Sequence, residues 1–277
     1  MATFYGNVPD SDVTNWYVNV TATGATVPLS FVGGVYNMVY TLKQQNIWNL
    51  IYEMYILCGV SSLSGVYQKL KTAPGKSSVL TTNNNYGYNP TYSPTGSGAG
   101  FPMPQAYFYL IPGVSATELS ANNRSVGVYE TVRPSTENPY YSVLIGRDGG
   151  ANNTGFGPCI TNVGANQWRV LDISSPVAFT TSVGVSAAAG FFSLVVNPTT
   201  QYGTALGVQY GSTASITSSA VNGTGDYVFG SPYEGGGGFN SSTISFAFIG
   251  YGMTSSQLAI LDNAVNTLMK SIGANVY

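Results

Sequence analysis

Apolar residues recur along most of this chain in short runs, alternating or continuous, each closed by Gly, Pro, Asn or Asp. NWYVNVTATG (15–24) alternates and is β-branched, and VPLSFVG (27–33) also reads as extended. YEMYILCG (52–59) reads as a buried strand, and the Pro74-Gly75 pair after it marks a turn. AYFYLIPG (106–113), NRSVGVYETV (123–132), two or three runs between 138 and 172, GFFSLVV (190–196) with YGTALGVQYG (202–211), and ISFAFIGYG (244–252) continue the series. Strands and turns at this spacing predict an all-β sandwich or jelly roll in one unit.

Two segments break the pattern with a helical period. Val35, Met38 and Leu42, with Trp48 beyond, predict a short helix from Gly34 to about Gln45. The second lies near the end. Thr254 and Gln257 form a T-x-x-Q capping box, whose hydroxyl and amide satisfy free N–H groups of a first turn. Leu258, Leu261, Val265, Leu268 and Ile272 then share one stripe, and Gly273 supplies the left-handed stop, so a helix is expected over 255–272. A helix this short is marginal alone and needs a surface to cover, and the preceding strand supplies one.

Charge and polarity narrow the functional classes. Charged residues make up 7% of the 277 residues, against about 25% in typical domains. Their place is taken by Ser, Thr, Asn, 34 Gly and 21 Tyr. Aromatics at this level argue against disorder. Nine scattered Lys and Arg form no basic stripe, so nucleic acid is not an expected partner. No run of about 20 apolar residues predicts membrane insertion, and the N-terminus shows no signal peptide. A neutral surface of Tyr, Asn and Ser suits contact with other surfaces. Cys58 sits in an apolar run and reads as a buried thiol, a disulfide to Cys159 being the alternative.

No catalytic constellation is legible, and the chain is expected not to be an enzyme. With no His, serine or cysteine triads are excluded. Glu53, Glu118, Glu130, Glu137 and Glu234 are isolated in sequence, so no pair suits the acid and nucleophile roles of a glycosidase. Asp148, Asn152 and Asn153 in GRDGGANN offer oxygen ligands to calcium. The same run reads as a tight Asp-Gly turn, and one carboxylate compensates a dication poorly. No cofactor is expected.

VYNMVYTLKQQNIWNLIYEMYILCG (35–59), YYSVLIGRDGG (140–150), and the closing IGYGMTSSQLAILDNAVNTLMKSIG (249–273) together resemble a diverse family of phage and virus structural proteins. That family carries a concanavalin A-like (laminin G-like) jelly roll, opened by a helix, a Trp and a core strand and closed by a strand and capped helix. The resemblance implies a non-enzymatic virion component, capsid- or tail-associated, assembled in the host cytoplasm beside other virion proteins and expected to form homo-oligomers. The alternative on the same sandwich is an adhesin for host surface glycans. Residues 31–277 would form the jelly roll. Residues 1–30 have no counterpart in the family and read as an extended segment or attachment arm, with Phe4, Tyr5, Trp16 and Tyr17 as anchors. The loop 82–105 also departs from the family. Its Tyr86, Tyr88 and Tyr92 are candidates for a neighbouring protein or a sugar ring, or are surface tyrosines with no partner.

Overall fold

A computed structural model describes residues 10–84, 91–102, 108–115, 118–120, 123–132, 142–143, 145–147, 158–161, 167–170, 179–181, 189–198, 200–206, 208–210, 227–229 and 243–277. These residues form mostly antiparallel sheet with a few helices. The helices are α1 (Ser11–Ala22), α2 (Leu29–Gln44), the single turn α3 (Leu63–Val66) and α4 (Ser255–Lys270). The first five strands are β1 (Ile51–Ile56), β2 (Thr81–Asn84), β3 (Phe101–Pro102), β4 (Phe108–Ile111) and β5 (Arg124–Val132). Five short ones follow: β6 (Ser142–Val143), β7 (Ile145–Arg147), β8 (Pro158–Thr161), β9 (Gln167–Val170) and β10 (Phe179–Thr181). The last are β11 (Gly190–Asn197), β12 (Thr200–Ala205), β13 (Val208–Tyr210), β14 (Tyr227–Phe229) and β15 (Thr243–Gly250).

The largest sheet runs β1-β15-β5-β11-β12-β13, with β3 added on β15. Two further sheets run β2-β4-β14-β7 and β10-β9-β8-β6. β15 is buried along its whole length and β5 along all but its last residue. Such strands are covered on both faces, which explains why β15 reads as a largely apolar run; β5 buries Arg124, Ser125, Glu130 and Thr131 besides its apolar residues. Register shows what covers them. Tyr55, Ala247 and Val128 share one row, so Tyr129 points to the opposite face. On that face the Tyr129 hydroxyl donates to Asn266 of α4 at 2.8 Å. On the other, Phe229 of β14 stands edge-on to Tyr55, ring centroids 5.0 Å apart. The large sheet thus lies between a helical layer and a second sheet.

α4 forms as its sequence predicts. Thr254 accepts from the Gln257 amide at 3.2 Å, and Gln257 returns a bond to the Thr254 amide at 2.8 Å. Gly273 takes φ +68, Ala274 donates to the Met269 carbonyl at 2.9 Å and Gly273 to Lys270 at 3.2 Å, which closes the helix. α2 starts five residues before the predicted Gly34, directly after Pro28. α2 and α4 pack together, and at Gly34 they touch closely: an added Cβ would lie 2.9 Å from Leu268 Cδ1.

The N-terminal expectation is corrected over 11–22. This stretch is helix, not extended arm or strand. Asp10 caps it, accepting from the Asp12 amide at 3.0 Å, while Lys43 of α2 bridges Asp10 and Asp12 at 2.7 and 2.6 Å. Val13, Trp16 and Val20, at helical spacing, are buried. Their burial outweighs the weak strand preference of Val and Thr. A boundary at residue 30 would cut α2. Trp16→Ala should therefore cost about 3 kcal/mol, read as a lower urea midpoint, and a chain starting at Val32 should lose stability. An unchanged midpoint in Trp16→Ala would show that α1 is not part of the core.

Candidate functional site

Three of the places where polar side chains gather among the described residues bear on a site. The first is closed to solvent. Glu53 of β1 and Lys69, in the segment after α3, are both fully buried. That segment runs along β1 through a bridge between Met54 and Lys71. Lys69 Nζ donates to both Glu53 oxygens, at 3.1 and 2.9 Å, and to the Pro112 carbonyl at 2.6 Å. The Ala73 amide reaches Glu53 at 3.3 Å, and the Tyr55 hydroxyl donates to the same carboxylate. Burial, and behind it the Glu53 charge, push the Tyr55 phenol well above its ordinary value, so it stays a donor. Tyr55 of β1 and Lys69 and Ala73 of the segment after α3 converge on one carboxylate, and Lys69 ties in Pro112 as well, with no opening for a substrate. The sequence held half of a signal: Glu53 in the otherwise apolar run YEMYILC requires a partner, whereas Lys69 lies in the polar run VYQKLKT and gives none.

The second place joins α4 to the residues that follow it. Tyr277 stacks on Tyr129, ring centroids 6.0 Å apart, and its hydroxyl donates to Asp262. Asn266 donates to the Tyr277 carbonyl at 3.0 Å. Asp262 is 3% exposed, and burial pushes its carboxyl up to about 6, against the pull of the Tyr277 hydroxyl. A raised carboxyl makes folding more favourable below the unfolded value near 4, and that advantage is lost as pH rises through about 6. Asp262→Asn should accordingly gain about 1–2 kcal/mol at pH 7 and nothing at pH 4. Urea midpoints at the two pH values check this, and an equal gain at both would refute it.

The third place is an open groove of about 290 Å³ between α2 and α4. Its rims carry Asn37 and Thr41 from α2, and Asn263 and Thr267 from α4, all exposed. Met38, Ile260 and Ala264 form the apolar floor. No charged side chain lines it. An apolar floor under neutral amides and hydroxyls can hold a small uncharged polar molecule.

Of the residues singled out in the sequence, the described ones, Trp16, Tyr17 and Tyr92, do not converge on any of these places. Trp16 is 1% exposed, a core residue rather than an anchor for another chain. Tyr17 is half-buried against the same core. The Tyr92 hydroxyl donates to the Val60 carbonyl at 2.7 Å and accepts from its amide at 3.3 Å, pinning the loop to the fold. Phe4, Tyr5, Tyr86 and Tyr88 lie outside the described residues, as do Asp148, Asn152 and Asn153. Among the described residues no three His, Cys, Asp or Glu side chains are grouped to hold a metal ion. Cys58 is a buried free thiol, 3.7 Å from the Met269 sulfur, so the disulfide alternative falls. No helix among the described residues is long and apolar enough to cross a membrane.

No protein-family model and no curated protein matches the chain. Solved structures do resemble it in fold. A Trypanosoma rangeli sialidase in complex with 2,3-difluorosialic acid matches with TM-score 0.57 at 13% identity, over 86% of this chain and 39% of the sialidase. Domain 4 of AbnA, an extracellular arabinanase from Geobacillus stearothermophilus, in complex with arabinotriose, matches with TM-score 0.52 at 12% identity. Here 76% of this chain covers 98% of that domain. The binding domain of botulinum neurotoxin serotype D matches with TM-score 0.51 at 13% identity, over 79% of this chain and 51% of that one. This chain thus spans well under half of the sialidase, and at such identities the likeness is one of fold.

Proposed function

We propose that this chain is a non-enzymatic structural component of a virion surface, capsid- or tail-associated, built on a concanavalin A-like jelly roll and held beside other virion proteins. The observation that carries this reading is the meeting of the two segments with the most specific resemblance. The opening helix, Trp48 and core strand are α2, a single turn at Trp48–Leu50 and β1. The closing strand and capped helix are β15 and α4. β1 pairs with β15, and α2 packs on α4, so the two ends of the sequence pattern make one unit. The low charge and the Tyr- and Asn-rich composition suit a protein that works by contact. The test is mass spectrometry and immunogold labelling of purified particles from the native source. Stoichiometric presence and surface labelling are expected, and absence from washed particles overturns the reading.

A second reading, binding of neutral glycans, has its own support. The arabinanase domain is matched over nearly its whole length, and its structure holds arabinotriose. The uncharged groove between α2 and α4 is the place among the described residues that suits a sugar, its floor for C–H faces and its rims for hydroxyls. A glycan array followed by titration of Asn37→Ala and Asn263→Ala tests it. Each variant should weaken a bound glycan about tenfold. An empty array, or binding indifferent to both variants, removes the groove from the account.

A further inference from the structure

We propose that Glu53 and Lys69 are the two halves of an internal amide bond, a self-formed isopeptide that joins β1 to the segment running beside it once the chain has folded. Lys69 Nζ lies 3.1 and 2.9 Å from the two Glu53 oxygens. Carboxyl geometry then leaves it no more than about 3.4 Å from Glu53 Cδ, within the range of a near-attack arrangement. Neither side chain has any exposed surface, so water is kept from the reacting atoms. The surrounding groups are those that acyl transfer needs. The Ala73 amide donates to Oε1 at 3.3 Å, and the Tyr55 hydroxyl donates to Oε2. The Pro112 carbonyl accepts from Nζ at 2.6 Å and fixes the direction of the amine.

The step balances within the cluster. One proton passes from the Lys69 ammonium group to Glu53, giving an amine and a carboxylic acid. The nitrogen lone pair forms a bond to Cδ, and charge gathers on Oε1, which faces the Ala73 amide. The Cδ–Oε2 bond then breaks, with the Tyr55 hydroxyl as proton donor to the departing oxygen. Burial, and behind it the Glu53 charge, hold that phenol protonated when the step begins. Tyr55 regains its proton as the nitrogen loses one, so Oε2 leaves as water and a secondary amide remains. The amide keeps its N–H on Pro112 and its oxygen on Ala73, and no buried polar group is stranded. The bond links positions 16 residues apart. The freshly folded chain holds the ion pair, and the bond accumulates after it.

The test is the intact mass of the full chain, followed on standing after purification. The parent is expected to become lighter than its sequence by one water. Met54 lies between the two residues, so cyanogen bromide cleavage should leave the piece ending at Met54 joined to the piece beginning at Tyr55. Lys69→Arg keeps a cation beside Glu53 but carries no amine able to attack, and should show its full sequence mass and separate pieces. Tyr55→Phe keeps the ring and should condense about a hundredfold more slowly. A parent chain that stays at its full sequence mass overturns the proposal. A lost water with the two pieces separate, or a Lys69→Arg chain equally light, overturns it as well, since the dehydration then lies elsewhere. Equal rates in the parent and Tyr55→Phe chains would overturn the role given to the phenol.

Discussion

Replacing Lys69 by methionine is expected to cost the fold about 3–5 kcal/mol, the penalty for leaving a buried carboxylate without its cation. Methionine has similar length and fits the space, so packing changes little and the loss reports electrostatics. Glu53 would keep the Tyr55 hydroxyl and the Ala73 amide and lose both contacts to the ammonium group. Those two donors cannot offset the desolvation of a carboxylate with no exposed surface. The Pro112 carbonyl would lose its 2.6 Å donor as well. Adding Glu53→Gln to Lys69→Met should restore about half of the loss, because the charge itself is then gone. Urea denaturation of the two variants beside the parent measures both steps. A Lys69→Met chain with the parent midpoint would mean that the pair is not buried as described, and a double variant worse than the single would place the loss in packing.

The parts of this fold that were legible are those where a local signal and the burial requirement agree. The Thr254–Gln257 box, the stripe from Leu258 and the Gly273 stop all fall where the sequence sets them. β1 and β15 were legible as largely apolar runs, because a strand covered on both faces buries nearly all its side chains; β5, which buries Arg124, Ser125, Glu130 and Thr131 among its apolar residues, was legible from its Val and Tyr content. α1 was misread because its composition and its period disagree. Trp16, Tyr17, Val18 and Val20 favour strand, while the pattern that decides is Val13, Trp16 and Val20 after an Asp10 cap. The Glu53–Lys69 contact depends on the path of the chain after α3, which no local rule sets. The groove was illegible for a related reason. Asn37 and Thr41 are ordinary exposed positions on α2 until α4 lies alongside and brings Asn263 and Thr267 opposite.

The sharpest test of the architecture is Leu261→Asp, with Val265→Asp as its companion. Both side chains are fully buried on the α4 face turned to the large sheet. Neighbours on that helix show how it is held: Asn266 bonds the Tyr129 hydroxyl of β5, and Met269 lies against the Cys58 thiol just past β1. An aspartate at 261 would lose the apolar contacts of leucine, about 3 kcal/mol or more. It would also bring an unpaired carboxylate, or a proton taken up to neutralise it, into an apolar layer at a cost of several kcal/mol more. The sum approaches the whole stability of an ordinary domain, about 5–15 kcal/mol, so either variant should be recovered unfolded or insoluble. Leu261→Ala, which removes volume without adding charge, should fold with a midpoint lowered by about 3 kcal/mol. That graded pair of outcomes distinguishes a docked helix from a peripheral one. A soluble Leu261→Asp chain with the parent melting temperature would mean that α4 does not cover the sheet, and the meeting of the chain's two ends would lose its physical basis.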